Sequence, residues 1–360
     1  MTAALRILSP GLMTTLQDRG RHGYQRQGIP VSGAMDPVGL AAANLLVGNE
    51  AGTAALEISY QGPTFAIEAD SVRFAYAGAN AAVEVLSEGA APQRLAALQS
   101  HRLERGQTLR IGALSGGSVG YLAIEGGFDI PPFIGSLSTY VRGGLGGWKG
   151  RALAAGDALP LKRETVEARE EHMLPGLDLA PAQRIRVILG PQDDYISDEG
   201  IETFLSARYT VSSAADRMGL RLEGPALKHA KGFNIVSDGI APGAIQVPGT
   251  GTPIILMADR QTTGGYPKVA AVISADLPAV GRLTPGSIIS FEAVSIETAE
   301  TLRGELSTMM EGLAARLVPV ARTAIIDEGK LLSCNLVSGV VYGHNGPDAD
   351  HEPWLISAET

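Results

Sequence analysis

Short apolar runs bounded by Gly, Pro, Ser or Asp recur along most of the chain. Several alternate in polarity: Val72, Phe74 and Tyr76 fall on one face of an extended segment, with Arg73 and Ala75 on the other. A period of two indicates β-strands, and many short strands between turn residues are typical of barrels or sandwiches. The pattern predicts strands at residues 5–8, 54–58, 65–67, 72–76, 83–86, 108–111, 121–124, 185–189, 220–222, 254–257, 269–273 and 288–291.

Helical signals are few. The clearest covers residues 36–47, where Asp36 can cap the first amides, Pro37 suits the first turn and Gly48 ends the helix. Two further helices are predicted at 199–206 and 297–317. In the last, Leu302, Leu306, Met309, Met310 and Leu313 recur at helical spacing, which favours core or interface packing over cofactor binding.

A domain boundary is predicted within residues 162–183, which are charged and then Pro-rich with little β character. The two flanking regions resemble each other faintly. Residues 118–128 read as a strand leading into Gly-Gly-Phe, and residues 253–266 as a strand and loop leading into Gly-Gly-Tyr. A regular alternation of turns and strands could by itself produce this similarity.

Composition limits the kinds of molecule that the chain could bind and the places where it could act. The net charge is −9 without a basic stripe, which argues against nucleic acid. The single cysteine, Cys334, excludes an intrachain disulfide and fits a cytoplasmic location. We find neither a signal-peptide pattern nor an apolar run of the ~18 residues that a membrane span needs. The six histidines lack paired ligand spacing, so we expect no metal site.

Several standard signatures are missing. The sequence has no P-loop, dinucleotide fingerprint or nucleophile elbow. The glycine-rich residues 143–150 could bind an anion through backbone amides, or form a plain turn. Because no lysine is flanked by methionines, we expect no covalently attached biotin.

Four polar stretches rich in glycine interrupt the apolar pattern, at residues 16–36, 126–142, 212–221 and 237–268. Loops of this kind can hold donors close to a ligand, and functional residues commonly lie on loops. The alternative is a solvated surface loop or, for Asp216, Arg217 and Arg221, a structural ion-pair cluster. Hydroxyl and guanidinium groups suit a small carboxylate or amide substrate.

The same stretches carry a family resemblance. Its motifs are QDRGR at 17–21, residues 28–36, NLLVGN at 44–49, GGF at 126–128, GSLSTY at 135–140, DRMG at 216–219, GAIQVP at 243–248 and QTTGGYP at 261–267. They resemble the family of the C subunit of 5-oxoprolinase, also called allophanate hydrolase subunit 2 or KipA-like, a biotin-dependent carboxyltransferase family. The resemblance extends from about residue 5 to residue 295.

The resemblance implies a mainly β fold of two cyclophilin-like β-barrel domains with a few short helices. We place these domains at 1–165 and 183–317, followed by a C-terminal extension at 318–360. The family also implies a partner, a KipI-like B subunit, to which the 5-oxoprolinase system adds a third (A) subunit. It further implies the use of ATP shared with the partner subunits. The substrate would be a small carboxylate or amide.

Three functions follow as hypotheses. The first is a subunit of an ATP-dependent 5-oxoprolinase that is inactive alone, the second a carboxyltransferase subunit of a biotin-dependent urea or amide carboxylase, and the third a KipA-like regulatory binding protein. Candidate catalytic residues are Asp18, Arg142, Asp259, Tyr266 and Lys268. Candidate substrate-binding residues are Arg19, Arg21, Ser136, Thr139, Tyr140, Arg217, Gln246, Thr262 and Thr263.

Overall fold

The computed structural model describes residues 3–320, which form a mainly β structure with four α-helices. The helices are α1 (Pro37–Leu46), α2 (Asp198–Ser206), α3 (Leu277–Gly281) and α4 (Ile296–Gly312). The strands are β1 (Ala4–Ser9), β2 (Met13–Gln17), β3 (Ala55–Ser59), β4 (Thr64–Ile67), β5 (Ser71–Asn80), β6 (Val83–Leu86), β7 (Gln93–Leu95), β8 (Ser100–Glu104), β9 (Thr108–Ile111), β10 (Ser115–Ile124), β11 (Ala158–Pro160), β12 (His172–Met173), β13 (Arg184–Leu189), β14 (Tyr209–Val211), β15 (Gly219–Glu223), β16 (Asp238–Gly239), β17 (Ala244–Gln246), β18 (Ile254–Leu256), β19 (Thr263–Gly264), β20 (Lys268–Val272), β21 (Ile288–Ala293) and β22 (Val318–Pro319).

The first half of the chain builds two antiparallel sheets. One has the order β11-β1-β4-β9-β6-β7 and the other β2-β3-β10-β5-β8. Their facing side chains, among them Phe65, Phe74 and Tyr76, form one core. The alternation predicted for β5 is confirmed, because Ala75 and Ala77 face the opposite side and belong to a second core.

The second half closes into a barrel of seven strands in the order β13-β20-β17-β18-β15-β14-β21. The parallel pairing of β13 with β21, which places Arg184 opposite Ser290, closes the ring, and the other neighbours are antiparallel. Phe204 of α2 packs inside against Phe291 with ring centroids 4.4 Å apart. The mainly β prediction is therefore confirmed.

Helix α1 lies where the two halves meet. It packs on β5 and β10, and its small side chains Ala41, Ala42 and Ala43 share a core with barrel residues. Asp36 caps the helix by accepting a 3.0 Å hydrogen bond from the Val38 amide, as predicted. Helix α3 packs so closely that a Cβ on Gly281 would lie 2.1 Å from the Met35 carbonyl oxygen. The junction is thus a tight interface within one compact unit.

Each predicted strand falls on an observed strand, and the predicted helices at 36–47, 199–206 and 297–317 correspond to α1, α2 and α4. The short helix α3 was not predicted. The methionine stripe of α4 is half-buried, with Met309 and Met310 packed against the larger core. The predicted boundary segment contains only β12, and the domain limits stay a prediction. Most of the C-terminal extension, with Cys334, lies outside the described residues. Within residues 3–320, every helix is too short or too polar to cross a bilayer.

Candidate functional site

Asp18, directly after β2, ties two of the predicted loops together. Its carboxylate accepts hydrogen bonds from the Gly20 amide (2.8 Å), the Ser136 hydroxyl (2.7 Å), the Leu137 amide (2.6 Å) and the Ser138 hydroxyl (2.5 Å). These four donors occupy both carboxylate oxygens. Asp18 therefore fixes the loop after β2 onto residues 136–138.

Arg21 contacts the same loop as Asp18, and it is 1% exposed. Its Nε donates to the Phe133 carbonyl (2.9 Å), and its Nη2 donates to the carbonyls of Ser138 (2.9 Å) and Ser136 (3.3 Å). Its Nη1 is buried and has no hydrogen-bond partner among residues 3–320. Burial lowers the pKa of Arg21, and Asp18 opposes that shift. A buried donor without a partner is a natural attachment point for a ligand oxygen.

The glycine-rich residues 143–150 pack against this cluster. At Gly146, whose φ is +70°, a Cβ would lie 2.2 Å from the Ser138 carbonyl oxygen and 2.5 Å from Arg21 Nη2. Only glycine allows such an approach of the backbone in that conformation. This stretch therefore helps to hold the loop that Arg21 and Asp18 share.

Arg217 joins the two halves of the molecule. It donates from Nε and Nη2 to the Asp259 carboxylate (2.9 and 3.1 Å), from Nη1 to Glu57, and from Nη2 to the Gly33 carbonyl (2.7 Å). Burial acts to lower the pKa of Arg217, but the charges of Asp259 and Glu57 outweigh it and raise the pKa overall. All three guanidinium nitrogens therefore make hydrogen bonds, and Arg217 organises the junction.

Glu57, 1% exposed, completes this network from β3. Its carboxylate also accepts the Tyr121 hydroxyl (2.7 Å) and the Met35 amide (2.8 Å). The Tyr121 hydroxyl in turn accepts the Asp36 amide (2.8 Å), and burial together with Glu57 raises the pKa of Tyr121 well above its ordinary value. Glu57 and Tyr121 were not among the predicted site residues. The one signal for Glu57 was a single charged residue within the mostly apolar strand ALEIS.

Lys268 begins β20 in the second half and is 3% exposed. Its Nζ donates to the Asp238 carboxylate (3.1 Å), which lowers the pKa of Asp238. Its backbone amide donates to Gln192 Oε1 (3.2 Å). Asp238 of the short strand β16 thus covers the ammonium group of this candidate catalytic residue.

Two carboxamides lie close to Lys268. Gln246, its cross-strand neighbour, accepts a hydrogen bond from Gln261 Nε2 at Oε1 (3.0 Å). The other ends of the pair, Gln246 Nε2 and Gln261 Oε1, are buried without a partner among residues 3–320. If both amides were flipped, one donor and one acceptor would still be unpaired. The pair could therefore offer one donor and one acceptor to a bound amide or acid.

The remaining candidates are placed as follows. Arg142 is exposed and forms an ion pair with Asp216 (2.8 Å). Asp216 and Arg217 are adjacent in sequence but have different partners, because Arg217 pairs with Asp259 and Glu57. Arg19 is exposed, and the Thr139 hydroxyl donates to the Leu16 carbonyl (3.0 Å). Tyr140 makes a backbone bridge to Leu145, and the backbone carbonyl of Thr262 accepts a hydrogen bond from the Ile240 amide (3.1 Å). Thr263 lies in β19, and Tyr266 is 41% exposed.

The structure thus joins residues 17–36 directly to 136–138 through Asp18, and to Asp259 through Gly33 and Arg217. Gln246, Gln261 and Lys268 form a separate group at the end of the barrel. The individual roles of all these residues stay predictions. Among residues 3–320, no cluster of three or more His, Cys, Asp or Glu side chains is placed to hold a metal ion.

Comparison with known proteins gives consistent matches. A family model described as carboxyltransferase domain, subdomain A and B, matches residues 27–293. The chain is 39% identical over 319 residues to the C subunit of 5-oxoprolinase from Escherichia coli, covering 87% of this chain and 98% of that protein. It is 38% identical over 300 residues to the protein of the same name in Haemophilus influenzae, covering 82% and 93%.

Among solved structures, the urea amidolyase of K. lactis matches with a TM-score of 0.79 and 32% identity. The match covers 87% of this chain, which spans only 20% of that much longer protein. These matches confirm the family resemblance found in the sequence motifs. The chain therefore belongs to the family of the carboxyltransferase domain, subdomain A and B, which includes the C subunits of 5-oxoprolinase.

Proposed function

We propose that this chain is the C subunit of an ATP-dependent 5-oxoprolinase, and that it forms one site together with two partners, a KipI-like B subunit and a third (A) subunit. The observation that carries the proposal is 39% identity to the C subunit of 5-oxoprolinase from E. coli, across 98% of that protein. The proposal places the complex in the cytoplasm, where ATP is available.

The reaction would open the ring amide of 5-oxoproline to give glutamate. An amide carbon is a poor electrophile, so the amide oxygen needs activation, which ATP would supply by phosphorylating it and leaving as ADP. Water then adds to the amide carbon, and the carbon–nitrogen bond breaks as the nitrogen takes a proton, which gives an acyl phosphate. A second water attacks this acyl carbon and displaces phosphate, which leaves the free carboxylate of glutamate. Negative charge develops on oxygen atoms throughout, and fixed cationic donors in a buried site stabilise such charge.

This chain offers suitable donors in two of its polar regions, the loop after β2 and the end of the barrel. The buried Nη1 of Arg21, which has no partner within residues 3–320, would contact a ligand oxygen. Lys268 sits under Asp238 beside the amide pair of Gln246 and Gln261, where it would supply positive charge to a polar ligand. Both oxygens of Asp18 and all three guanidinium nitrogens of Arg217 already make hydrogen bonds, so we assign these residues to positioning the loops.

The other candidates receive lesser roles. Arg142 and Tyr266, both well exposed, would contact the partner or the entering substrate. Asp259 would hold Arg217 and through it the loop that contains Gly33. Because the sequence lacks a P-loop, we assign ATP to a surface shared with the partner proteins. A site divided in this way predicts little turnover by the isolated chain.

Co-expression with the neighbouring subunits tests the proposal. The purified complex should release ADP and glutamate in equal amounts when 5-oxoproline is present, and much less ADP without it. The isolated chain, assayed in parallel, should show little turnover. A complex that binds its partners but forms no glutamate would overturn the proposal, and strong turnover by the chain alone would overturn the shared site.

A second candidate, a carboxyltransferase that works with a separate biotin carrier, is favoured by the structural match to the urea amidolyase of K. lactis. The two candidates differ in their need for biotin. Avidin should abolish the activity of a carboxyltransferase and leave a 5-oxoprolinase unchanged. A KipA-like regulator would instead bind a kinase tightly and turn over no substrate with any mixture of partners.

A further inference from the structure

A cavity of about 320 Å³ lies between the loop before α1 and the second half of the molecule. Apolar side chains such as Met35, Met257 and Leu277 form most of its wall. Its few polar side chains include Gln25, Ser32 and Arg260. A mostly apolar cavity of this size with a few converging polar groups is the usual form of a small-molecule site.

Arg260 is a buried cation that lacks an acidic partner among residues 3–320. It is 4% exposed, and it donates from Nε to the Ile240 carbonyl (3.0 Å) and from Nη1 to the Met257 carbonyl (3.3 Å). Its Nη2 makes no hydrogen bond to any residue in that range. The neighbouring acid, Asp259, is held by both nitrogens of Arg217. Burying a guanidinium without a carboxylate is costly, and an anionic ligand would offset that cost.

Ser32 gives a second, independent observation. It is 6% exposed, and its hydroxyl is buried without a hydrogen-bond partner among residues 3–320. Its φ of +56° lies in the left-handed region, which a side chain such as serine seldom adopts. Strained backbone of this kind is concentrated at binding and catalytic sites. The contacts of Asp18, Arg21 and Arg217 explain neither this backbone strain nor the unpaired hydroxyl.

We infer that this cavity binds one small carboxylate with a compact, largely hydrocarbon ring. The carboxylate would pair with the free edge of Arg260 and accept the Ser32 hydroxyl, and the ring would lie on Met35 and Leu277. A single guanidinium among apolar side chains suits a monoanion better than a phosphate. Identifying the ligand as 5-oxoproline rests on the proposed function, whereas the preference for a ring carboxylate does not.

Ligand-observed NMR with the full chain can test this preference, using four probes. Cyclopentanecarboxylate has the ring and the charge, 2-pyrrolidinone has the ring amide without the carboxylate, acetate has the charge without the ring, and 5-oxoproline has all three features. We expect 5-oxoproline and cyclopentanecarboxylate to bind, acetate to bind at least tenfold more weakly, and 2-pyrrolidinone to show no binding. Equal binding of acetate and the ring acids would overturn the proposed apolar contact.

Substitutions in the cavity wall test whether the ligand binds in this cavity. Arg260→Lys keeps the charge but loses the planar fork, and Ser32→Ala removes only the unpaired hydroxyl. We expect Arg260→Lys to weaken the binding of cyclopentanecarboxylate at least tenfold, and Ser32→Ala to weaken it roughly threefold. Gln25→Glu, at an exposed position, adds a negative charge to the cavity wall and should weaken binding roughly fivefold. Gln27→Glu adds the same charge on the same short turn but outside the wall, and should have no effect.

The outcomes separate this inference from the proposed function. If no ring carboxylate binds, or if Arg260→Lys and Gln25→Glu both bind as the unmodified chain does, the cavity proposal fails even when the complex hydrolyses 5-oxoproline. If binding follows the expected pattern but the complex forms no glutamate, the cavity proposal stands and the proposed function fails. Because Gln25 is exposed, its substitution keeps the test valid should Arg260→Lys fail to fold.

Discussion

Arg282 and Asp36, 246 positions apart in sequence, form a buried ion pair across the junction of the two halves. Arg282 donates from Nε and Nη2 to the two oxygens of Asp36, at 2.7 and 3.2 Å, with side chains 7% and 0% exposed. Asp36 also caps α1 through Val38, and Arg282 Nη1 donates to the Ala180 carbonyl (2.9 Å). One carboxylate therefore starts the helix and fixes the second half against it.

Asp36→Asn should strongly destabilise the protein. Asparagine still caps a helix, so the loss isolates the ion pair. Leaving Arg282 buried without its charge partner should lower the free energy of unfolding by about 3–5 kcal/mol. Asp70→Asn breaks an exposed pair with Arg105, which solvent screens, and should cost far less. Urea denaturation of both variants makes the comparison, and equal losses would show that the buried pair contributes no more than a surface pair.

Gly146→Ala should cost more stability than Gly144→Ala. Both glycines have positive φ, +70° and +64°, so both substitutions carry a similar backbone strain. Only at position 146 would the new Cβ meet other atoms, 2.2 Å from the Ser138 carbonyl oxygen, whereas position 144 is open within 4 Å. We expect an extra loss of about 1–3 kcal/mol from this overpacking. Thermal unfolding of the two variants measures it, and matching losses would contradict the described packing of Arg21.

Stability should fall at alkaline pH, partly because of Tyr209. Burial raises the pKa of Tyr209 to about 12, against about 10 for tyrosine in an unfolded chain. The unfolded chain therefore loses this proton first, so the contribution of Tyr209 is complete below about pH 10 and is lost as the pH rises to 12. Buried Tyr76 and Tyr121, whose pKa values are also raised, act in the same direction.

Tyr209→Phe tests this assignment. Within residues 3–320, the hydroxyl makes one long hydrogen bond, 3.5 Å to the Thr203 carbonyl, so its removal should change stability little at pH 7. Between about pH 10 and 11.5, the free energy of unfolding of the variant should fall less steeply than that of the unmodified protein. Identical slopes in urea titrations at these pH values would refute the role of Tyr209.

Local structure could largely be predicted from sequence. Alternation in β5 and the cap and stop residues of α1 act over a few neighbouring positions, and both elements formed as expected. The family motifs also marked the loops that meet at Asp18. These signals are visible without knowledge of which distant segments pack together.

The contacts between distant segments could not be predicted. Glu57 and Arg217 are 160 positions apart, and Glu57 reads in sequence as one polar position of a strand. Ser32 lies within the motif at 28–36, and Arg260 directly precedes the motif at 261–267. That the Ser32 hydroxyl has no partner and Arg260 has no acidic partner among residues 3–320 becomes apparent only when the loop before α1 folds over the barrel. The covering of Lys268 by Asp238 likewise depends on the pairing of β16 with β19.

The central claim is that the junction loops of this chain supply charged donors to a 5-oxoprolinase site completed by partner proteins. The most direct test is the rate of ATP-dependent glutamate formation by the complex carrying Arg21→Lys. Lysine keeps the charge but cannot reproduce the guanidinium fork, so we predict a loss of about 10- to 100-fold in kcat. Arg26→Lys, at an exposed position of the same loop, should retain the full rate. If a folded, fully assembled Arg21→Lys complex worked at the unmodified rate, the junction would not be the site.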